Sequence, residues 1–441
     1  MHSFTYISNI KNNTKSKERI NVYMYPISIA QKKYLNNELI YKDTSMNNIV
    51  GVLKLGSKYN YDEINQALNE IVCKNDSHRL HITVENGEHF QYIKEYEEKL
   101  YPFLDFNQNP SQFGAWLNEQ ANVNIFSYDN YLYRFYILKL PEGEYGLFSV
   151  QHHMIADAWS MTLLINYFIM QLIQGNKAES PNYSFVNEIE NDLKYLESKK
   201  FQRDELFWKN KLDQRNLYSI IDKLPSNSIS NHRIRYKLSK LESEKINKYC
   251  MENNVSISDI FLCIMNIIIH KKAVNYVRTL GLSIHNRQNK IDKYTTGNYV
   301  RVLPLICNTI NSLTLSDLLK EIKMEAFNLL KHRKYPIEKL LLDSDSKARI
   351  TDCIISYHNT NYNPLFTEYG FSEKWIDTDT RTAMLLVSIS NRSNETSYSV
   401  EYDYHNKVLS DKEIEALHIK VLKVLGNILN NPNQNLENLI L

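Results

Sequence analysis

The chain has 441 residues and sets 52 Lys and Arg against 50 Asp and Glu, so its formal net charge of +2 gives no global reason to expect nucleic acid or an anionic membrane as partner. With 43% hydrophobic residues it can bury two cores, as two domains or a pair of closely joined lobes. Only 11 glycines occur and none forms a Gly-rich phosphate-binding signature, so ATP-driven activation of a substrate by this chain is not expected.

The N-terminal MHSFTYISNIKNNTKSKERI is polar and has no apolar h-region. Between Asp62 and Val72 the apolar residues Ile64, Ala67, Leu68, Ile71 and Val72 recur at the spacing of one helical face, which predicts a packed amphipathic helix. LYRFYILKL (Leu132 to Leu140), the turn PEGEYG and LFSVQ read as a hairpin whose second strand ends at His152. WSMTLLINYFIMQLIQG then has helical length and stops at Gly175, so the intervening HHMIAD is a strand-to-helix junction.

From Lys177 to Leu224 the composition turns polar and charged, and a long surface helix is expected to join two halves. The boundary is placed near Ser180, giving an N-terminal lobe 1–180 and a C-terminal lobe 181–441. The second half predicts a helix after Ser256–Ser258, strands at NYVRTLGLSI and YVRVLPLI, and a helix at LSDLLKEIKMEAFNLLKHR. Strands at DCIISYHN and SYSVEYDY and a last helix at SDKEIEALHIKVLKVLGNIL follow. Two α/β halves with mixed sheets and flanking helices result. The five cysteines, Cys73, Cys250, Cys263, Cys307 and Cys353, show no CxxC spacing and read as reduced thiols. No apolar run approaches the roughly 20 residues of a membrane span, so a soluble, cytoplasmic protein is expected.

The paired histidines His152 and His153 carry the strongest chemical signal. Neighbours on a strand point to opposite faces, which disfavours a shared metal and lets only one of the two face a given cavity. The spacing also lacks the HExxH pattern of a zinc helix, and no metal is expected. Asp157 opens the following helix, where its charge suits the N-terminal dipole and can anchor an arginine.

HHMIADAWS resembles the HHxxxDG motif of nonribosomal peptide synthetase condensation domains, in the wider superfamily that includes chloramphenicol acetyltransferase. SIAQKKY (Ser28 to Tyr34), NDSHRLHI (Asn75 to Ile82), GLSIHNR (Gly281 to Arg287), GNYVRVLPL (Gly297 to Leu305) and HRKYPIEKLL (His332 to Leu342) resemble further family motifs in the right order. LHIKVL and NPNQNLENLIL match the way such domains end, so the resemblance runs from about residue 23 to the C-terminus. It implies two chloramphenicol-acetyltransferase-like lobes forming a V-shaped pseudo-dimer with a tunnel between them. Trp159 directly after the alanine, followed by Ser160, is the pattern of peptide-bond-forming domains rather than of epimerising or heterocyclising relatives. Three positions depart from the pattern: Ala158 replaces the family glycine, His78 the usual leucine, and Arg301 the asparagine of a second-lobe motif.

The resemblance implies an acyltransferase that forms an amide, with an ester as the other product, from an acyl or aminoacyl thioester on a carrier protein and an amine acceptor. No cofactor is bound; substrates arrive on phosphopantetheine arms of peptidyl or acyl carrier proteins, or the acceptor is a small amine. By resemblance His153 acts on the proton of the amine, as general base or by positioning, while His152 holds the junction by hydrogen bonds. Asp157 would pair with Arg287 and clamp the lobes. Ala158, Trp159 and Arg301 are candidates for the oxyanion or tunnel wall, with Arg301 altering acceptor choice or marking a degenerate site. Gln31, Tyr34 and Arg79 are expected to stabilise the first lobe, Pro336 and Glu338 the second, and Trp159 the core. The competing readings are a CoA-dependent O- or N-acyltransferase of the same superfamily and a catalytically silent recruitment module.

Overall fold

The computed structural model describes residues 8–12, 19–178, 183–212, 217–218, 229–270, 277–306, 314–342, 351, 353–359, 362–391 and 397–436. Contacts divide the chain into two compact units. The first comprises Met1–Lys194 with Arg287–Tyr299 and Tyr362–Thr378, and the second Tyr195–Asn286, Val300–Asn361 and Asp379–Leu441. The division thus falls at Lys194 rather than at 180, and two segments from the second half of the sequence are built into the first unit.

The first unit is organised on a five-stranded sheet in the order Ser372–Ile376, Asn48–Gly56, Tyr145–His152, Tyr133–Lys139 and Phe103–Asp105, antiparallel except for the last pair. The hairpin read from the sequence is its centre, and the second strand ends at His152 as expected. Helix Tyr61–Lys74 is closed by an Asn60–Glu63 capping box and buries Ile64, Ala67, Leu68, Ile71 and Val72, the stripe that the spacing predicted. With helix Ala158–Gln174 it covers the sheet face that carries Leu53, Phe135 and Leu147. The opposite face carries Val50, Val52, Phe148 and Val150, covered by helix Phe113–Ala121 through Leu117 and Ala121. Alternation along each strand therefore feeds two separate cores. Strand Ser372–Ile376 pairs with Asn48–Gly56 and covers what would be an open sheet edge.

The second unit has a mixed sheet running Val277–Ile284, Cys353–His358, Leu385–Ser390, Ser399–His405 and Asn231–Lys237, the first three mutually parallel. Arg301–Ile306 joins Val277–Ile284 antiparallel. Helices Ile257–His270, Leu315–Lys331 and Asp411–Asn430 pack through Phe261, Ile264, Leu318, Ile322, Val421 and Leu425 against Ile355, Val387 and Tyr402.

The single long surface helix expected between 177 and 224 is instead two, Val186–Leu196 and Lys199–Leu212. Ser198 separates them: its Oγ accepts the Phe201 N–H and caps the second helix. Nor are they merely surface elements, because Ile189, Tyr195 and Trp208 are buried and Trp208 Nε1 donates to the His332 carbonyl at 3.0 Å. A narrow buried stripe inside a charged stretch left little trace in average composition. Among the described cysteines, Cys73, Cys250, Cys263 and Cys353 are free thiols; Cys307 lies outside the described residues.

Candidate active site

The histidines sit where strand Tyr145–His152 gives way to helix Ala158–Gln174. His152 closes the strand in register with Asn48, and His153, in the turn that follows, is tied back by its N–H, which donates to the Asn47 carbonyl at 2.8 Å; the two side chains meet different partners. His152 is 1% exposed. Its Nδ1 accepts the Met154 N–H at 3.1 Å, so Nε2 carries the proton and donates to Glu38 Oε1 at 3.0 Å. His153 is half-buried and has the other tautomer. Its Nδ1 faces the Ala156 carbonyl at 3.2 Å; a carbonyl only accepts, so Nδ1 bears the hydrogen and the basic lone pair is on Nε2.

One face of helix Ile29–Ile40 serves the whole junction. Gln31 donates through Nε2 to the Met154 carbonyl at 2.8 Å, Tyr34 stacks on the His153 ring with centroids 4.6 Å apart, and Glu38 holds His152. These residues recur at i, i+3 and i+7, neighbours along a helix surface. The sequence reading assigned Tyr34 only to general stability and omitted Glu38; the polar residues at helical spacing were the signal available for finding them.

Asp157 is the N-cap of the following helix and is buried. Oδ1 accepts the Ser160 N–H at 2.8 Å, and Oδ2 accepts Arg287 Nη1 at 2.7 Å and the Tyr299 N–H at 3.0 Å. Arg287 also donates to Ser160 Oγ and to the carbonyls of Asp292 and Gly297, and its guanidinium lies 4.2 Å from the Tyr299 ring centroid. Burial pushes the Asp157 carboxyl up; the Arg287 charge and these hydrogen bonds outweigh it and hold the group below the usual carboxylate range. Both residues lie in the first unit, so the pair fastens the segment Arg287–Tyr299 onto the histidine junction, where the expectation was a clamp between lobes. That segment reaches the junction backbone too, with Asn298 Nδ2 donating to the His153 carbonyl. Gly297, at φ +143°, lies so close to Phe185 that a Cβ would stand 2.1 Å from its ring.

A family profile described as Condensation domain matches residues 21–441. The chain belongs to the condensation domain family. Surfactin synthase subunit 1 of Bacillus subtilis is 25% identical over 441 residues, covering 95% of this chain and 12% of the relative. Gramicidin S synthase 2 of Brevibacillus brevis is 22% identical over 445 residues, covering 97% and 10%. The chain therefore spans a small fraction of the curated relatives it matches. Among solved structures, the starter condensation domain of rhizomide synthetase RzmA superposes with a TM-score of 0.78 at 17% identity, covering 94% of this chain and 98% of that one. The first condensation domain of the CDA synthetase does so with a TM-score of 0.80 at 13% identity, covering 94% and 98%.

The three departures from the condensation domain pattern each have a local explanation. Ala158 is the first residue of its helix and does not have positive φ, so glycine is not demanded there. Arg301 belongs to the second unit, where its Nη1 donates to the carbonyls of Arg333, Lys334 and Tyr335. His78 is fully buried, stacks near Phe135 and Tyr133, and approaches Gln151 Oε1 at 3.1 Å through Nε2. Burial lowers its pKa to about 4, against a partial opposing effect of the Gln151 bond. Trp159 is half-buried and donates through Nε1 to the Lys293 carbonyl at 2.9 Å. Among the described residues no three His, Cys, Asp or Glu side chains gather as a metal site, and no single helix is long and apolar enough to cross a membrane.

Asp157→Asn and Arg287→Ala should each cost about 3–5 kcal/mol, because either leaves a buried partner uncompensated. Denaturant unfolding of both single variants and the double variant should show a double-mutant loss well below the sum; simple additivity would mean that the two groups do not interact. His78 gives a second test. Its folded pKa lies below the unfolded value, so the unfolded chain alone takes up the proton as pH falls from about 6.5 towards 4, and stability is lost across that window. By pH 5 the loss is about 2 kcal/mol. His78→Leu should flatten this part of the stability profile even where it lowers stability at neutral pH, and an unchanged acid slope in that variant would refute the assignment.

Proposed function

We propose that this condensation domain forms an amide in nonribosomal peptide biosynthesis, transferring an acyl or aminoacyl group from a thioester on a carrier protein's phosphopantetheine arm to an amine. The tautomer of His153 carries the proposal. With Nδ1–H held by the Ala156 carbonyl, Nε2 has the lone pair of the neutral imidazole.

The amine nitrogen attacks the thioester carbon, and the new C–N bond forms as the carbonyl π pair moves to oxygen. His153 Nε2 takes one proton from the nitrogen, or orients the amine so that the proton leaves to solvent. Collapse of the tetrahedral species re-forms the carbonyl and breaks the C–S bond, and the arm departs as a thiol or thiolate. The thioester is already activated, so orientation of two reactants, which can contribute about 7–11 kcal/mol, is the larger demand on the protein. Tyr34, stacked on the imidazole, and Asp157, which fixes the helix start, act here as positioning residues. His152, sealed between Glu38 and Met154, has no role in the proton transfer.

Supporting this reading, the rhizomide starter condensation domain, in a variant form, has been solved in complex with C8-CoA and Leu-SNAC. Cytoplasmic action together with carriers supplied by other domains follows from the same reading, as does the absence of a resident cofactor.

His153→Ala should lower amide formation by roughly 10²-fold or more with the thermal transition retained. His152→Ala should lower the transition temperature, and a stable but inactive His152→Ala protein would reverse the two roles. The same acyl group offered on CoA and on its carrier separates the enzyme classes by kcat/KM. Carrier preference supports condensation, because remote protein contacts then contribute to the transition state. CoA preference would favour the CoA-dependent acyltransferase, an ester from a hydroxyl acceptor would replace the amide, and no turnover with any thioester would favour a recruitment module.

A further inference from the structure

The loop after strand Glu88–Ile93 carries two lysines, Lys94 and Lys99, and both reach the ring of Tyr131. Lys99 Nζ stands 3.0 Å from that ring's centroid and 5.5 Å from the centroid of Tyr133, while Lys94 Nζ stands 5.5 Å from the Tyr131 centroid. His81 packs on the same ring in a T-shaped contact, with centroids 4.7 Å apart. The loop is pinned at Lys99, because the buried Asn69 side chain accepts the Lys99 N–H at 2.9 Å and donates to its carbonyl at 2.8 Å.

The two amines are not equivalent. Lys94 pairs with Glu97 at 2.7 Å, whereas among the described residues no carboxylate is in ion-pair contact with Lys99. Lys99 is half-buried against aromatic carbon and shares the ring with a second cation. Loss of water and a facing like charge both disfavour an ammonium. Burial lowers the Lys99 pKa to about 8, helped by the Lys94 charge and opposed by Glu97. At pH 7.5 about a quarter of such an amine is neutral, against about a thousandth of an ordinary lysine. The aromatic ring accommodates either form, an ammonium through its quadrupole and a neutral amine through an N–H directed at its face. Desolvation beside another cation is one way in which a protein makes a lysine nucleophilic.

We propose that Lys99 is a self-acylation site, which takes the acyl group of a small acyl thioester from solution onto its ε-amine. The neutral nitrogen attacks the thioester carbon, the C–N bond forms and the C–S bond breaks. The sulfur leaves as a thiolate, and the nitrogen gives up one proton to solvent. The product is a neutral amide, so the like-charge contact with Lys94 is relieved. Here the chain itself is the acceptor, and the histidine junction takes no part.

The test incubates the full chain with acetyl pantetheine thioester at pH 7.5 and maps acetyl-lysines over time by peptide mass spectrometry, with the exposed Lys240, Lys248 and Lys320 as internal references. Lys99 should acetylate at least fivefold faster than each reference, and its rate should level off above about pH 8 while theirs go on rising. Guanidinium chloride, which dissolves the cluster, should abolish the advantage. Lys94→Gln removes the opposing charge and should lower the Lys99 rate at pH 7.5 at least threefold with the references unmoved; if that variant does not fold, the comparison of native and denatured chain decides alone. His153→Ala should leave Lys99 acetylation unchanged. Equal rates at Lys99 and the references, an advantage that survives denaturation, or an unmoved Lys99 rate in folded Lys94→Gln protein overturns the site. Loss of the label in His153→Ala would make Lys99 an acceptor of the histidine junction and overturn it as well. A chain that acetylates Lys99 but forms no amide with any added amine would overturn the condensation reading and support this one.

Discussion

The buried carboxylate of Asp157 is the constraint on which the junction depends. A charge removed from water must be compensated, and here it accepts from the helix N-terminus, from Arg287 and from the Tyr299 backbone at once. These donors come from two distant stretches of chain, so satisfying one charge fixes the start of helix Ala158–Gln174 and draws in the segment Arg287–Tyr299. The same segment supplies Asn298 to the His153 carbonyl and Gly297 to Ser160. The histidine junction is held from outside its own strand and helix.

A second constraint is the end of the strand. His152, its last residue, lies in a sealed pocket with Glu38, and His153, in the turn that follows, lies beside Tyr34, although the two are adjacent in sequence. The backbone chooses their tautomers: a main-chain N–H makes Nδ1 of one an acceptor, and a main-chain carbonyl makes Nδ1 of the other a donor. One residue type is thereby given two different hydrogen-bonding patterns by its surroundings alone.

Much of this was legible in the sequence. The helix Tyr61–Lys74 and the hairpin ending at His152 follow from periodicity, and the ordered motifs carried the family. The strand Asn48–Gly56, central to the first sheet, escaped because burial on both faces leaves no polar alternation. Assignment of Arg287–Tyr299 and Tyr362–Thr378 to the first unit was also out of reach, since it depends on long-range pairing that composition does not record. At the site, the Asp157–Arg287 pair was expected from resemblance and meets at 2.7 Å. Of the stripe Gln31, Tyr34, Glu38, the first two were expected to support the first lobe, whereas Glu38 was missed because a buried carboxylate facing inward runs against the usual amphipathic rule. The surroundings of Arg301 could not be read either, because its three carbonyl partners, Arg333, Lys334 and Tyr335, are remote from it along the chain.

The division of labour between the two histidines is the centre of this account, and their tautomers report it most directly. Nuclear magnetic resonance of the full chain with nitrogen-labelled histidine, assigned through His152→Gln and His153→Gln variants and recorded near neutral pH, distinguishes the two ring nitrogens of each. The account predicts Nε2–H for His152 and Nδ1–H for His153. The same tautomer at both positions, or an Nε2–H tautomer at His153, would contradict it.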